Sequence, residues 1–228
     1  MIVKIFIVIQ PSTLKFLKDL KKNNNKPWFD AHRKEYEAAK KDFEQMIQAV
    51  IDRHGKTDKT ISHLKAKDCL FRINRDIRFS KDKTPYKTNM GAYINRGGKK
   101  SLYGGYYFHC EPGQSFVGGG LWMPMPNELN KVRQEIDYNL AEFKKIIGSK
   151  KFKSVYNDVS RDAEYTLSRV PKGYEADNPA AEYLKLKSFV AIAKVSDADL
   201  NSKEIVKKIT TAFEALQPML AFINHSID

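Results

Sequence analysis

Hydrophobic residues recur every three or four positions in the segments near the two ends of the chain. This spacing is typical of helices that bury one face. It predicts a helix over residues 12–22 and a second helix from Pro27 to about Arg53. Near the other end, Asn201 followed by Glu204 resembles a capping box and predicts a helix that starts there. The pattern therefore predicts an N-terminal helical pair and a C-terminal helix.

Between these helical segments the hydrophobic pattern changes to an alternation of period two, which is typical of half-buried β-strands. The turn-rich sequences NRGGKK and EPGQ separate the alternating runs, and such short links favour antiparallel pairing. The strands predicted in this region cover residues 70–79, 89–95, 103–111 and 115–123.

Further along the chain the spacing becomes helical again and predicts a helix over about residues 127–147. Two more strands are predicted, near 165–170 and over 184–195, with a short helix capped by Asn178 between them. Together these elements predict one α+β domain over residues 1–228. Its core is a central, mainly antiparallel sheet with helices packed on it.

Residues 1–11 are largely apolar, yet this segment is too short to span a bilayer, carries Lys4 and precedes no small-residue cleavage site. We interpret it as a strand or pairing segment and predict no association with a membrane. Cys69 and Cys110 lack the spacing of a disulfide framework or a zinc site, which favours a reducing, cytoplasmic location. The five histidines also lack metal-binding spacing, so neither a metal nor a cofactor is predicted. The oligomeric state stays open.

The net charge of +13 changes this picture, because the basic excess is concentrated in the middle of the chain. Residues 61–125 contain eleven Lys and Arg against four Asp and Glu. Among them, the segment RINRDIRFSKDKTPYK (residues 72–87) carries six basic side chains and two aspartates. A strand over its first half would place Arg72 and Arg78 on one polar face, where alternate residues are about 7 Å apart.

Guanidinium groups bind phosphate and carboxylate through paired hydrogen bonds. The leading hypothesis is therefore a binding module for a phosphorylated or otherwise anionic small molecule, or for nucleic acid. The alternative is a surface ion-pair network in which Asp76 and Asp82 neutralise these cations and nothing binds. The residues expected to bind the anion are Arg72, Asn74, Arg75, Arg78, Lys81, Lys83, Tyr86 and Lys87.

A rival hypothesis is an enzyme that acts on a small phosphate- or carboxylate-bearing substrate, with Asp76 or His109 as proton carrier. His109 and Glu111 share one face of a predicted strand, a spacing at which the carboxylate can orient the imidazole. A core or surface histidine without a catalytic role is the competing interpretation. A structural or protein-interaction role is the third hypothesis, and an exposed apolar patch in the first nine residues would support it.

Six more residues are secondary candidates for the border of the anion-binding cleft that residues 72–87 are expected to form. A glycine triplet within a strand either lets a ligand approach the backbone or leaves room for neighbouring aromatic rings. The start of the second helix either anchors that helix to the core or attracts an anion. A basic PKGY turn either contributes to the cleft or is simply solvated. These candidates are Trp28, Arg33, Gly119, Trp122, Arg169 and Lys172.

Four phrases, taken in their order and spacing, resemble the bacterial and fungal family known as domain of unknown function 2461. They are NNNKPWFDAHRKEYE (23–37), RINRDIRFSKDKTPYK (72–87), YYFHCEPGQSFVGGGLWMP (106–124) and LSRVPKGYEADNP (167–179). The resemblance covers roughly residues 12–225. It implies an α+β fold and no particular activity.

Overall fold

A four-stranded sheet with helices on it forms the part of the protein that the computed structural model describes, residues 7–228. The strands are β1 (Met90–Ile94), β2 (Gly105–Cys110), β3 (Phe116–Leu121) and β4 (Phe189–Lys194). The helices are α1 (Pro11–Lys22), α2 (Lys26–Ala31), α3 (Arg33–His54), α4 (Ala66–Cys69), α5 (Pro126–Tyr138), α6 (Leu140–Ile147), α7 (Lys150–Tyr156), α8 (Ala181–Leu184), α9 (Asp197–Leu200) and α10 (Ile205–Ile227).

The four strands lie in the order β1-β2-β3-β4, and each neighbouring pair is antiparallel. The predicted α+β class, with an antiparallel sheet, an N-terminal helical pair and a C-terminal helix, is confirmed. The strands predicted over 89–95, 103–111, 115–123 and 184–195 are all present, with somewhat shorter bounds. Among residues 7–228, no helix combines the length and hydrophobicity needed to cross a bilayer.

The helices cover one face of the sheet, and α10 lies across β3 while it also contacts α3 and α5. On this face, Phe108 of β2 stacks with Phe43 of α3, and Tyr106 packs against Phe213 of α10. A Cβ at Gly119 would come within 2.8 Å of Leu216 Cδ2. The Gly105 carbonyl oxygen of β2 would be closer still, at 2.2 Å, so residue 119 is glycine because both β2 and α10 approach it closely.

The strand predicted over residues 70–79 is wrong. Its segment forms isolated bridges only, between Leu70 and Ala92 and between Asn74 and Tyr86. The backbone folds back on its own continuation, since the Arg75 N–H donates to the Pro85 carbonyl over 2.9 Å. A segment with an alternating pattern forms a β-strand only when its backbone pairs with a neighbouring strand. Here backbone groups of the segment pair within the same loop instead.

Other predicted elements are shorter than expected or are displaced. The second helix is divided into α2 and α3 at His32, and the helix over 127–147 is divided into α5 and α6 at Asn139. The strand near 165–170 is wrong, because only Thr166 bridges Leu186 there. The capping box lies at Ser196 and Asp199, where it caps α9, instead of at the predicted position.

The N-terminal segment lies partly outside the described residues. Residues 7–10 are not a strand, although Ile9 is buried and its N–H donates to the Leu200 carbonyl. The Asn201 amide donates to the Ile9 carbonyl, so the described end of the segment is held against the start of the C-terminal region.

Candidate functional site

The sheet face turned away from α10, here called the open face, forms the floor of a cleft of about 610 Å³. The strand register places Tyr93, Tyr107, Gly118 and Ile192 side by side across the four strands on this face. The segment Leu121–Met125 lines the cleft from the end of β3 onward, and Lys99 and residues 101–103 line it between β1 and β2. The full lining is Phe71, Tyr93, Lys99, Ser101, Leu102, Tyr103, Tyr107, Phe116, Gly119, Gly120, Leu121, Trp122, Met123, Pro124, Met125, Glu128, Val190 and Ile192.

Glycines occupy the middle of the open face because β4 comes too close there for a side chain. A Cβ would lie 2.2 Å from the Ala191 carbonyl oxygen at residue 118, and 2.0 Å from the Phe189 carbonyl oxygen at residue 120. Gly118 lies between Tyr107 and Ile192, and the Gly120 backbone lines the cleft. The ring of Phe116 lies 5.6 Å from that of Tyr107, measured between centroids. The floor therefore combines aromatic rings with glycine backbone.

Large hydrophobic side chains border the cleft and remain open to solvent. Of the nine such side chains that are exposed in residues 7–228, six line this one cleft, and Trp122 is 55% exposed. Exposed hydrophobic residues scattered singly are ordinary, whereas a contiguous patch of them marks a binding surface. The six are Phe71, Leu102, Trp122, Met123, Met125 and Ile192.

Three basic residues lie near Phe71, at one side of the cleft: Arg72, Lys87 and Lys99. Lys99 lines the cleft and donates to the Leu70 carbonyl, and the Lys87 ammonium lies 5.4 Å from the Phe71 ring centroid. Lys87 also donates to the Arg72 carbonyl over 2.9 Å. Burial, and then the positive charge of Arg72, lower the pKa of Lys87. Within residues 7–228, none of the three is paired with a carboxylate, so this side of the cleft carries positive charge that no ion pair offsets.

The other predicted anion-binding residues do not converge with these three. Arg75 donates to Asp82 and to the Thr84 hydroxyl, within its own loop. Arg78 forms a two-point ion pair with Asp76, over 3.0 and 2.7 Å. The expectation that the arginines share one face of a strand is wrong, because the segment is not a strand. Arg75 and Arg78 each bind a carboxylate of the loop, whereas Arg72 lies beside Lys87.

The remaining predicted residues of this loop have different roles. Tyr86 is buried, and its ring stacks on Phe29 at 4.0 Å between centroids. Asn74 forms the bridge to Tyr86, and the Lys83 ammonium donates to the Ile77 carbonyl. Lys81 is exposed at the tip of the loop. Tyr86 and Asn74 therefore help to shape the loop from within.

The structure brings His109 and Glu111 together next to the cleft. The imidazole Nε2 lies 3.1 Å from Glu111 Oε2, and Nδ1 lies 3.2 Å from the Tyr107 hydroxyl and 3.3 Å from the Asn89 amide nitrogen. These partners favour the tautomer that donates from Nε2 and accepts at Nδ1. Tyr107 lines the cleft, so the hydrogen-bonded side chains of Tyr107, His109 and Glu111 connect the cleft to the far end of β2.

Burial controls the ionisation of these three side chains. It lowers the pKa of His109 against the opposing effect of Glu111, and it raises the pKa of Tyr107 to about 12. Burial also opposes the ionisation of Glu111, but hydrogen bonds from His109, Lys21 and Thr88 outweigh it and lower that pKa. At neutral pH the result is a neutral tyrosine, a neutral histidine and an ionised glutamate.

The secondary candidates divide into residues inside the cleft and residues elsewhere. Trp122 and Gly119 line the cleft. Trp28 stacks on His32 where α2 meets α3, and Arg33 pairs with Asp30 in the same region. The remaining two, Arg169 and Lys172, lie in the loop before α8 and are not among the cleft residues.

Several cleft residues were not selected from the sequence. The alternation in β1 and β2 does place Tyr93 and Tyr107 on the face opposite the core, but their importance depends on the pairing between strands. Glu128 lies in the first turn of α5, where an acidic residue is common because it complements the helix dipole. Nothing in its local sequence indicates that it faces a cleft.

Metal and thiol chemistry find little support in the described residues. No three or more of the His, Cys, Asp and Glu side chains in residues 7–228 gather in a way that could hold a metal ion. Cys69 and Cys110 are buried free cysteines that form no disulfide with each other, and burial raises their pKa values to about 11 and about 12. These thiols are therefore protonated and weakly reactive at neutral pH.

Comparison with known proteins supports the resemblance that the sequence motifs indicate. A family model described as conserved hypothetical protein (DUF2461) matches residues 12–222. No curated protein and no solved structure matches the chain.

Proposed function

The chain belongs to the DUF2461 family of conserved hypothetical proteins, and we propose that it binds a small organic anion with an aromatic body. The observation that carries this proposal is the cleft, whose aromatic floor is bordered by cations that have no carboxylate partner within residues 7–228. Its volume of about 610 Å³ suits such a molecule, because ligand pockets commonly measure about 300–1,000 Å³.

The aromatic body of the ligand would lie on the open face of the sheet. Tyr107 and Phe116 offer ring surfaces there, and Trp122 and Ile192 offer exposed apolar surface at the border. A planar ring placed among them removes this surface from water and gains edge or face contacts with the side-chain rings. These contacts would supply most of the affinity.

The anionic group of the ligand would lie near Phe71. Burial, and then the positive charge of Arg72, lower the pKa of Lys87, and Lys99 lines the cleft on the same side. An anion placed among these groups offsets their mutual repulsion and receives charge-assisted hydrogen bonds. The cations would therefore favour a negative charge at this end of the ligand.

The exposed basic loop supports a second candidate function, the binding of single-stranded nucleic acid through residues 72–87. Phe79 in this loop is 95% exposed, and the Arg78 guanidinium lies 5.8 Å from its ring centroid. Exposed aromatic rings beside basic side chains are the platforms on which unpaired bases stack. For either function we propose a cytoplasmic location, which the two unbonded, buried cysteines favour.

Three probes with one ring system and different head groups test the main proposal. Naphthylacetate is anionic and naphthylmethanol is neutral at pH 7, and naphthylmethylamine is cationic. Calorimetric titration should show that the protein binds naphthylacetate more tightly than naphthylmethanol. Replacing Trp122 by Ala should weaken the binding of both, because both place their ring against the apolar border of the cleft.

The charge contribution is tested with a double variant and a matched control. Lys87→Gln combined with Lys99→Gln should weaken naphthylacetate about ten-fold or more, equivalent to about 1.4 kcal/mol, and leave naphthylmethanol nearly unchanged. Lys145→Gln combined with Lys153→Gln removes the same charge from exposed helical positions outside the cleft and should change neither. The proposal is refuted if naphthylacetate does not bind, or if it binds all these variants equally.

A further inference from the structure

Glu128 stands out among the cleft residues because one of its carboxylate oxygens, Oε2, is buried and has no hydrogen-bond partner within residues 7–228. Its side chain lines the cleft from the first turn of α5, and the residue is only 8% exposed. In residues 7–228 no donor lies within hydrogen-bond distance of its Oε2 atom. Buried polar atoms in folded proteins nearly always have a partner, so an unpaired one that faces a cleft indicates a group supplied from outside.

The surroundings of Glu128 favour an acidic side chain but donate no hydrogen bond to its Oε2 atom within residues 7–228. The N-terminal end of α5 carries the positive end of the helix dipole, which favours an acidic side chain in that turn. Lys99 lines the same cleft but forms no ion pair with Glu128. The Arg96 guanidinium is likewise not available, because it pairs with Asp228 and lies 3.6 Å from the Tyr103 ring centroid.

We propose that Glu128 is a recognition residue for an ammonium or other N–H donor group on the ligand. A carboxylate accepts hydrogen bonds only, and a charged donor in a half-enclosed cleft gives the stronger bond. This inference rests on the proposed function, and it makes that function more specific. The anionic end of the ligand lies near Phe71, the ring lies on the open face, and the donor group lies beside α5. The ligand class is therefore an aromatic zwitterion.

The cost of burying this carboxylate supports a role in binding. A buried polar atom that loses water without gaining a hydrogen bond destabilises the folded protein, and Oε2 of Glu128 is such an atom. A site kept for binding carries this kind of local cost, and its removal stabilises the free protein. Replacing Glu128 by Met, which has a similar length and no charge, should therefore raise the thermal unfolding midpoint of the free protein.

The binding test uses the full chain and the cationic probe. Glu128→Gln keeps the size of the side chain and should weaken naphthylmethylamine about ten-fold, equivalent to about 1.4 kcal/mol. It should change naphthylmethanol by less than about two-fold, because that probe carries no cation. The matched control is Glu142→Gln, which removes an exposed acidic residue from the first turn of α6 and should alter neither affinity.

The possible results separate this inference from the function on which it rests. If naphthylacetate binds but naphthylmethylamine binds wild type and Glu128→Gln equally, the cleft is an anion site and the role of Glu128 is refuted. Equal losses for naphthylmethylamine and naphthylmethanol would also refute it, since they would reflect a change of shape. If none of the three probes binds, the proposed function itself is wrong.

Discussion

The hydroxyl of Tyr107 occupies the space that a side chain at Gly91 would fill. A Cβ built at residue 91 would lie 2.6 Å from Tyr107 Oη, on the neighbouring strand. The ring of Tyr107 therefore lies flat over β1, with its hydroxyl close to His109 and one edge in the cleft. The glycine in β1 and the tyrosine in β2 together set the shape of the cleft floor.

This relationship predicts the effect of a methyl group at residue 91. Gly91→Ala should displace the end of the Tyr107 ring, break its contact with His109 and weaken naphthylacetate binding several-fold. The unfolding free energy should change by less than about 1.5 kcal/mol, because the displaced atom is the far end of a side chain that can move. Calorimetric titration and urea unfolding measure the two effects.

A double-mutant cycle provides the control for this prediction. Tyr107→Phe removes the hydroxyl that the new methyl group would meet first, so Gly91→Ala should have a smaller effect on binding in that background. Equal effects of Gly91→Ala in both backgrounds would contradict the proposed contact.

The fold could be predicted from the sequence wherever the hydrophobic period was long and had a single interpretation. The three-to-four spacing predicted α1 and α10, and the alternation predicted the four strands of the sheet. The same alternation misled at residues 70–79, where it predicts a buried face made of Phe71, Ile73, Ile77 and Phe79. Only Ile73 of these four is buried, and Phe79 is almost wholly exposed. An alternation of period two indicates an extended segment, but it does not indicate which strand that segment pairs with.

The candidate site was less predictable because it depends on register. Tyr107 and Gly118 are eleven positions apart in the sequence, yet the antiparallel pairing places them side by side. The unpaired state of Glu128 depends on what its neighbours bond to, and such information is not local. The pairing of His109 with Glu111 could be expected because both residues lie on one strand face, so it required no knowledge of the fold.

The basic loop leads to a prediction that separates its arginines. Arg72→Glu should reduce the retention of the protein on single-stranded DNA or heparin more than Arg78→Glu does. The reason is that Arg78 is already engaged by Asp76, whereas Arg72 has no carboxylate partner among the described residues. Salt elution from a heparin column and titration with a labelled oligonucleotide measure the difference.

Two further variants of the loop complete this test. Phe79→Ala should weaken the oligonucleotide but leave heparin unchanged, because only the oligonucleotide has bases that can stack. Lys145→Glu, at an exposed position of α6, controls for the general loss of positive charge. A larger effect of Arg78→Glu than of Arg72→Glu would show that the ion pair with Asp76 does not limit Arg78.

His54 leads to a prediction about the pH dependence of stability. It is 1% exposed, both of its ring nitrogens lack hydrogen-bond partners among residues 7–228, and its ring packs edge-on against Tyr106. Burial lowers its pKa below the ordinary value of 6.5, against Asp58 and Glu214, which act to raise it. The unfolded chain therefore binds a proton more readily than the folded protein does.

The sign of the effect follows from this difference. The contribution of His54 to stability is complete above the unfolded pKa of about 6.5 and is lost as the pH falls toward the lower, folded pKa. Between about pH 7.5 and pH 5, wild type should lose more unfolding free energy than His54→Leu, which cannot take up the proton. Urea unfolding at several pH values measures the difference, and His63→Asn, at an exposed position, is the matched control. Parallel curves for wild type and His54→Leu would show that the buried imidazole does not limit stability in acid.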